Sequence, residues 1–148
     1  MTFIMEIKQI TPEETYEIRE KIFQKKNKND TYQYESDHFK GSFHLGAFID
    51  GQLVSVASFL RENNNLFEEI HQYRLQGMAT LEEYQGQQIG SKLLKHGEKI
   101  LKQKHARLLW CHAKFPVSNY YTRFGLREHG EAFVIDKIGP HKVMFKML

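Results

Sequence analysis

The stretch Gly77-Met78-Ala79-Thr80-Leu81-Glu82-Glu83-Tyr84-Gln85-Gly86-Gln87-Gln88-Ile89-Gly90-Ser91 decides how this chain folds. It opens as the end of a strand, passes through a short polar turn and closes as the start of a helix among small residues. The first N–H groups of a helix have no partner within it, and the helix dipole adds partial positive charge there. Phosphate groups bind well at such a turn. Gly86 and Gly90 carry no Cβ to hold a pyrophosphate away from the backbone. Taken alone, these residues allow two readings: an anion or nucleotide site at a helix N-terminus, or an ordinary tight strand-to-helix turn.

Downstream of this turn, Ile89, Leu93, Gly97, Ile100 and Leu101 recur at helical spacing, which predicts a helix over residues 86–104 with one inward face. A short buried strand is expected over residues 107–112, then a short helix over 117–124 closed by Gly125. Residues 126–135 and 142–148 read as two antiparallel strands joined through Gly139-Pro140, with Val143, Phe145 and Met147 on one face. Upstream, a strand over residues 67–80 follows a turn at Asn63-Asn64-Asn65. Before that turn, apolar runs at 43–49 and 52–60 flank Asp50-Gly51, the pair most suited to a tight hairpin. The chain begins with an alternating strand over residues 3–10. Thr11-Pro12-Glu13-Glu14 then forms a helix start in which Thr11 caps, Pro12 takes the first helical position and Glu14 completes a capping box. Tyr16, Ile18, Ile22 and Phe23 make the buried stripe of that helix. Residues 24–42 lack a period and read as a loop with a short helix, a candidate substrate-side segment. Strands and helices intermix, so the expected fold is α/β: a mixed, mainly antiparallel sheet flanked by helices. At 148 residues, one domain over 1–148 is expected.

Composition narrows the function. With 41% hydrophobic residues a packed core is expected, and the net charge of +3 is too small to argue for nucleic acid. The one dense basic stretch, Lys25–Lys28, lies among Asn and Asp and reads as a solvated loop. No apolar run approaches the roughly 20 residues that span a bilayer. Met1 to Glu6 lacks the basic and apolar regions of a secretory leader, so a cytoplasmic protein without membrane contact is the expectation. Eight histidines include no His-x-x-x-His pair, and one cysteine makes no cluster, so no metal site is expected.

The central stretch resembles the acetyl-CoA-binding motif of the GNAT N-acetyltransferase superfamily, Arg/Gln-x-x-Gly-x-Gly/Ala. Gln85 matches its first position and Gly90 its last, while Gln88 stands where the middle glycine belongs. That departure implies either a backbone that keeps φ negative at Gln88 or an altered pyrophosphate turn. A second segment, Asn119-Tyr120-Tyr121-Thr122-Arg123-Phe124-Gly125-Leu126, resembles the family's aromatic-Tyr-x-x-x-Gly-Phe pattern, with Leu126 for the usual Phe. Trp110-Cys111-His112-Ala113 and Ile138-Gly139-Pro140-His141 resemble a bacterial subgroup of small enzymes, mostly without assigned substrates.

The resemblance implies acyl-CoA in a cleft between splayed strands and acetyl transfer from acetyl-CoA to a primary amine of a small molecule or peptide. An alternative within the same fold is an acyl-CoA-binding sensor without turnover. Met78, Ala79 and Thr80 would face the thioester and pantetheine arm. The backbone of Gln85, Gly86, Gln87, Gln88, Ile89, Gly90 and Ser91 would hold the pyrophosphate. Tyr121 matches the general acid, with Tyr120 as its core neighbour, and Asn119 is a candidate contact to the cofactor. Lys92, Lys95 and Arg123 are candidate contacts to the ribose phosphate. No motif identifies the base: Glu68, Glu69, His71, Glu35, Asp37 and His112 all remain candidates. Cys111 reads as a small buried residue, because His112 beside it points to the other face of a strand. The exposed C-terminal strand leaves room for a homodimer.

Overall fold

The computed structural model describes residues 4–23 and 32–148. The basic stretch Lys25–Lys28, and with it the first part of the candidate substrate-side segment, lies outside the described residues. Strand β1 (Met5–Ile10) leads into helix α1 (Tyr16–Phe23) through a 3-10 turn over Glu13–Thr15. Its start is the capping box: the Thr11 amide donates to the Glu14 carboxylate at 2.9 Å, and the Glu14 amide donates to Thr11 Oγ1 at 3.3 Å. Strands β2 (Phe43–Ile49) and β3 (Gln52–Leu60) form the hairpin, turning on Asp50 and Gly51 with φ of 49° and 84°. Two positive angles in succession are what a type I′ turn needs.

Strand β4 (Gln72–Thr80), helix α2 (Ile89–Gln103), strand β5 (Leu108–Lys114), helix α3 (Asn119–Phe124) and strands β6 (Arg127–Ile135) and β7 (Gly139–Met147) complete the chain. The seven strands form one sheet in the order β1-β2-β3-β4-β5-β7-β6. Every neighbouring pair is antiparallel except β4 with β5. The mixed α/β class with a mainly antiparallel sheet is therefore the observed one. Leu45, Val54, Val56, Phe59, Leu93, Leu94 and Leu101 are fully buried in the hydrophobic core that the sheet shares with its helices. Burying each such side chain stabilises the fold by about 1.5–3 kcal/mol.

The start of β4 and the turn in the tail differ from the sequence expectation. β4 begins at Gln72 rather than near Phe67, because the Gln72 side-chain amide closes residues 64–72 into a loop. Its Nε2 donates to the carbonyls of Asn64, Phe67 and Glu69, and its Oε1 accepts from the Asn64 amide. The tail turn comes at Asp136 and Lys137, where the Ile138 amide donates to the Ile135 carbonyl at 3.0 Å. Gly139 and Pro140 are strand residues opposite Ile135 and Val134. Val143, Phe145 and Met147 alternate along β7, but it is Met144, on the other face, that enters the main core.

Candidate active site

β4 and β5 pair only between Gln72–Arg74 and Leu108–Trp110. Beyond that point β4 follows β3 to Thr80, whereas β5 follows β7 to Lys114. The sheet therefore splits into a wedge whose apex is the Arg74–Trp110 pair. Next to the apex, Val56 faces Ala79 but Ser58 faces Gln76, so β4 carries one extra residue at Gly77–Met78. Gly77 takes φ of +66°, a conformation that favours glycine. The bulge interrupts the ladder at the mouth of the wedge.

On the α2 side of the wedge runs a groove of about 750 Å³. Met78 and Thr80 line it from β4, Gln85, Gly86, Gln88, Ile89, Gly90 and Ser91 from the turn and first helical residues. The end of β4 is held by Ser55, whose hydroxyl lies 2.7 Å from Thr80 Oγ1, and Gln85 Nε2 donates back to the Thr80 carbonyl at 3.0 Å. α2 starts at Ile89, three residues later than its sequence pattern indicates, with Gln88 as N-cap. Gln88 has φ of +63°. The turn thus adopts a left-handed conformation at this position although the residue is not glycine, at a cost of about 1–2 kcal/mol. A negative φ, one of the two expectations for this departure, does not occur.

Gly90 also makes room for two side chains, which the sequence did not indicate. A Cβ there would lie 2.8 Å from the Tyr120 hydroxyl and 2.9 Å from Met78 Cε. Its absence lets these two side chains close over the first turn of α2.

The model of the acetyltransferase (GNAT) family matches residues 5–126, most of the chain. The chain belongs to the GNAT acetyltransferase family. It is 46% identical over 145 residues to the N-acetyltransferase YitI of Bacillus subtilis (strain 168), covering 98% of this chain and 97% of that one. Among solved structures, Escherichia coli ElaA matches with a TM-score of 0.77 at 18% identity, covering 97% of this chain and 99% of that one. The PaiA N-acetyltransferase of Thermoplasma acidophilum, solved with coenzyme A, matches with a TM-score of 0.69 at 18% identity, covering 98% and 99%. The chain is accordingly an acetyltransferase, with the fold of the GNAT family. Among the described residues no helix is long and apolar enough to cross a membrane.

The motif residues of this GNAT chain divide in two. Those named above line the groove, whereas Ala79 is buried behind it, and Gln87, Asn119 and Tyr121 are not part of its lining. Tyr120, read from sequence as the core member of its pair, contributes its hydroxyl to the groove. Tyr121 packs edge-on against it, with ring centroids 5.5 Å apart. Burial raises the Tyr121 phenol above its ordinary range, with Cys111 and Tyr120 adding to the effect. Cys111 lies on the same inner wall, and burial pushes its thiol up to about 12, so it is no nucleophile at neutral pH. Of the candidate phosphate contacts, Lys95 and Arg123 line the groove. Lys146 of β7 joins them there, bridged to Glu98 at 2.9 Å. Nothing local marks Lys146, since its contribution depends on where β7 enters the sheet.

The opposite, α1 face of the wedge is polar. Arg19 and Asp37, both fully buried as side chains, form a two-pronged ion pair with both contacts at 2.9 Å. Arg19 also donates to Ser58 at 2.7 Å, and Ser58 lies 2.6 Å from His44 Nδ1. The Arg19 Nε packs against the Gly77 bulge, where a Cβ would meet it at 2.8 Å. Asp37 is thus engaged and cannot serve as a free base. Glu68 and His71 are exposed and Glu69 is half-buried in the loop before β4, at the far end of the sheet from the turn, and Glu35 is exposed in a 3-10 turn. His112 faces Arg74, whose guanidinium nitrogen lies 3.3 Å from Nδ1. An arginine only donates, so the lone pair of Nδ1 is occupied. Burial and the neighbouring Arg74 lower the His112 pKa to about 4. None of the base candidates read from sequence has both a free lone pair and a position at the apex.

Proposed function

We propose that residues 1–148 act as one transferase domain that moves the acetyl group of acetyl-CoA to a primary amine of a small molecule or peptide. The reaction is direct attack within a ternary complex. The observation that carries this reading is the continuity of three features: the bulged β4, the wedge it opens with β5, and the groove running to the start of α2. In the groove, N–H groups of the first turn of α2 and the turn at Gln85–Gln88 would hold the pyrophosphate. A Cβ at Gly86 would meet nothing within 4 Å, so the turn leaves open space for an anion. Lys95, Arg123 and Lys146 would face the phosphate of the ribose. Acetyl-CoA supplies the thioester carbon that the amine attacks.

Backbone N–H groups at the Gly77–Met78 bulge would stabilise the developing oxyanion, the kind of contribution that preorganised donors make in acyl transfer. Tyr121 would return a proton to the departing sulfur. Its raised pKa keeps the phenol protonated across neutral pH, the form a general acid requires. Cys111 belongs to the same buried surroundings, since it helps to raise the Tyr121 phenol.

The test is turnover. Purified protein, incubated with acetyl-CoA and a panel of primary amines, is expected to release free thiol together with an N-acetyl product. Thiol release that no amine in a broad panel increases would contradict transfer to an amine.

A further inference from the structure

With the sequence candidates for the base disposed of, one carboxylate among the described residues remains at the apex of the wedge. Glu62 follows β3 and reaches the α1 face beside the last β4–β5 pair. Its Oε2 lies 3.1 Å from an Arg74 nitrogen, and its Oε1 accepts from the Ser36 hydroxyl at 2.6 Å. The backbone at Glu62 is fixed as well, because Trp110 Nε1 donates to its carbonyl at 2.9 Å. Arg74 and Trp110 are the residues after which the strands part. The carboxylate is therefore rigidly held, yet 28% of its side chain is accessible. Asp37, on the same face, is sealed and doubly engaged by Arg19.

Arg74 organises this corner. Its guanidinium lies 4.9 Å from the centroid of the Trp110 ring, contacts Glu62 and donates to His112 Nδ1, while its Nε is buried without a partner. By occupying Nδ1 it fixes the His112 tautomer with the proton on Nε2. The other titratable groups near this corner are Tyr34 and Cys111, both of which sense Arg74, and His141, which helps to lower His112.

We propose that Glu62 is the group that meets the acceptor's ammonium and takes its proton, directly or through one water, with Arg74 as its positioning residue. The inference rests on the acetyl transfer proposed above. Its balance is simple. One proton passes from the ammonium to Glu62 and on to solvent, and the free amine forms the C–N bond. As the C–S bond breaks, Tyr121 gives its proton to sulfur, and the second proton lost from nitrogen restores the phenol. The net products are the N-acetyl amine, the free thiol of CoA and one proton.

The experiment compares wild type with Glu62→Gln, a near-isosteric change that keeps one oxygen to accept from Arg74 and presents its amide NH2 to the Ser36 hydroxyl. Calorimetry with acetyl-CoA comes first: equal binding by both proteins is expected, and no binding by wild type would sink the underlying reading rather than Glu62. With CoA bound, n-propylammonium followed by NMR line broadening is expected to bind wild type at least about tenfold more tightly than the variant. With an amine that wild type acetylates, kcat/KM at pH 7.5 should fall by about 100-fold, near the lower range of acid–base contributions. The variant should recover as pH approaches the amine's own pKa, a displacement of the rising limb that a purely structural role would not produce. Equal propylammonium affinity, or an unchanged pH profile with activity within threefold of wild type, would overturn the assignment.

Discussion

Tyr121→Phe is expected to lower kcat by about 10- to 1000-fold, up to the middle of the usual 100- to 10,000-fold range of acid–base contributions, with little change in acetyl-CoA affinity. The substitution removes one oxygen from a half-buried ring and leaves its packing against Tyr120 intact. Tyr120→Phe is the necessary companion, because the Tyr120 hydroxyl is the one that lines the groove and lies against Gly90 and Met78. Loss there should appear in binding of the cofactor more than in kcat. Steady-state kinetics with both variants separates the roles. Unaltered kcat in Tyr121→Phe beside a large loss in Tyr120→Phe would move the acid one residue along α3.

Asp37→Asn is expected to destabilise the fold by about 3–5 kcal/mol, the usual cost of leaving half of a buried ion pair uncompensated. Arg19 has no exposed surface and would keep its charge with one fewer acceptor. For a chain of this size the melting temperature should drop by about 6–20 °C. The pair also lies beneath the β4 bulge, so the loss should be felt at the site and in stability together. Urea denaturation of Asp37→Asn and of the double variant Arg19→Met/Asp37→Leu checks this. The double variant should recover most of the loss, since an apolar pair leaves no buried charge. A loss under about 1 kcal/mol in Asp37→Asn would show that water reaches the Arg19 guanidinium.

What the sequence reveals and what it hides follow from the range of the interactions concerned. The Asp50-Gly51 hairpin and the Thr11–Glu14 capping box are readable because the residues that fix them are adjacent or three positions apart. The alternation of apolar residues on both faces of β3 likewise marks a central strand, and Val54 to Leu60 are buried throughout. The start of β4 is not readable, because the Gln72 amide that delays the strand acts by folding the preceding loop onto itself. At the tail, Gly139-Pro140 has turn chemistry, yet the turn forms at Lys137 with φ of 67°, a residue type that carries no signal for it.

In the site, the glycine-containing turn is legible and the contacts around it are not. Gln88 departs from the family motif in residue type but takes a left-handed backbone there, which no propensity predicts. Glu62, Arg74 and Lys146 escape a motif reading for one reason. Each reaches its place only once β4, β5 and β7 are side by side in the sheet.

The most direct measurement of the central claim is calorimetric titration of the purified protein with acetyl-CoA, with CoA and ATP alongside. The groove and the Gln85–Ser91 turn predict micromolar binding of acetyl-CoA and CoA and none of ATP. No binding of either CoA species would contradict the assignment of that groove to the acetyl donor.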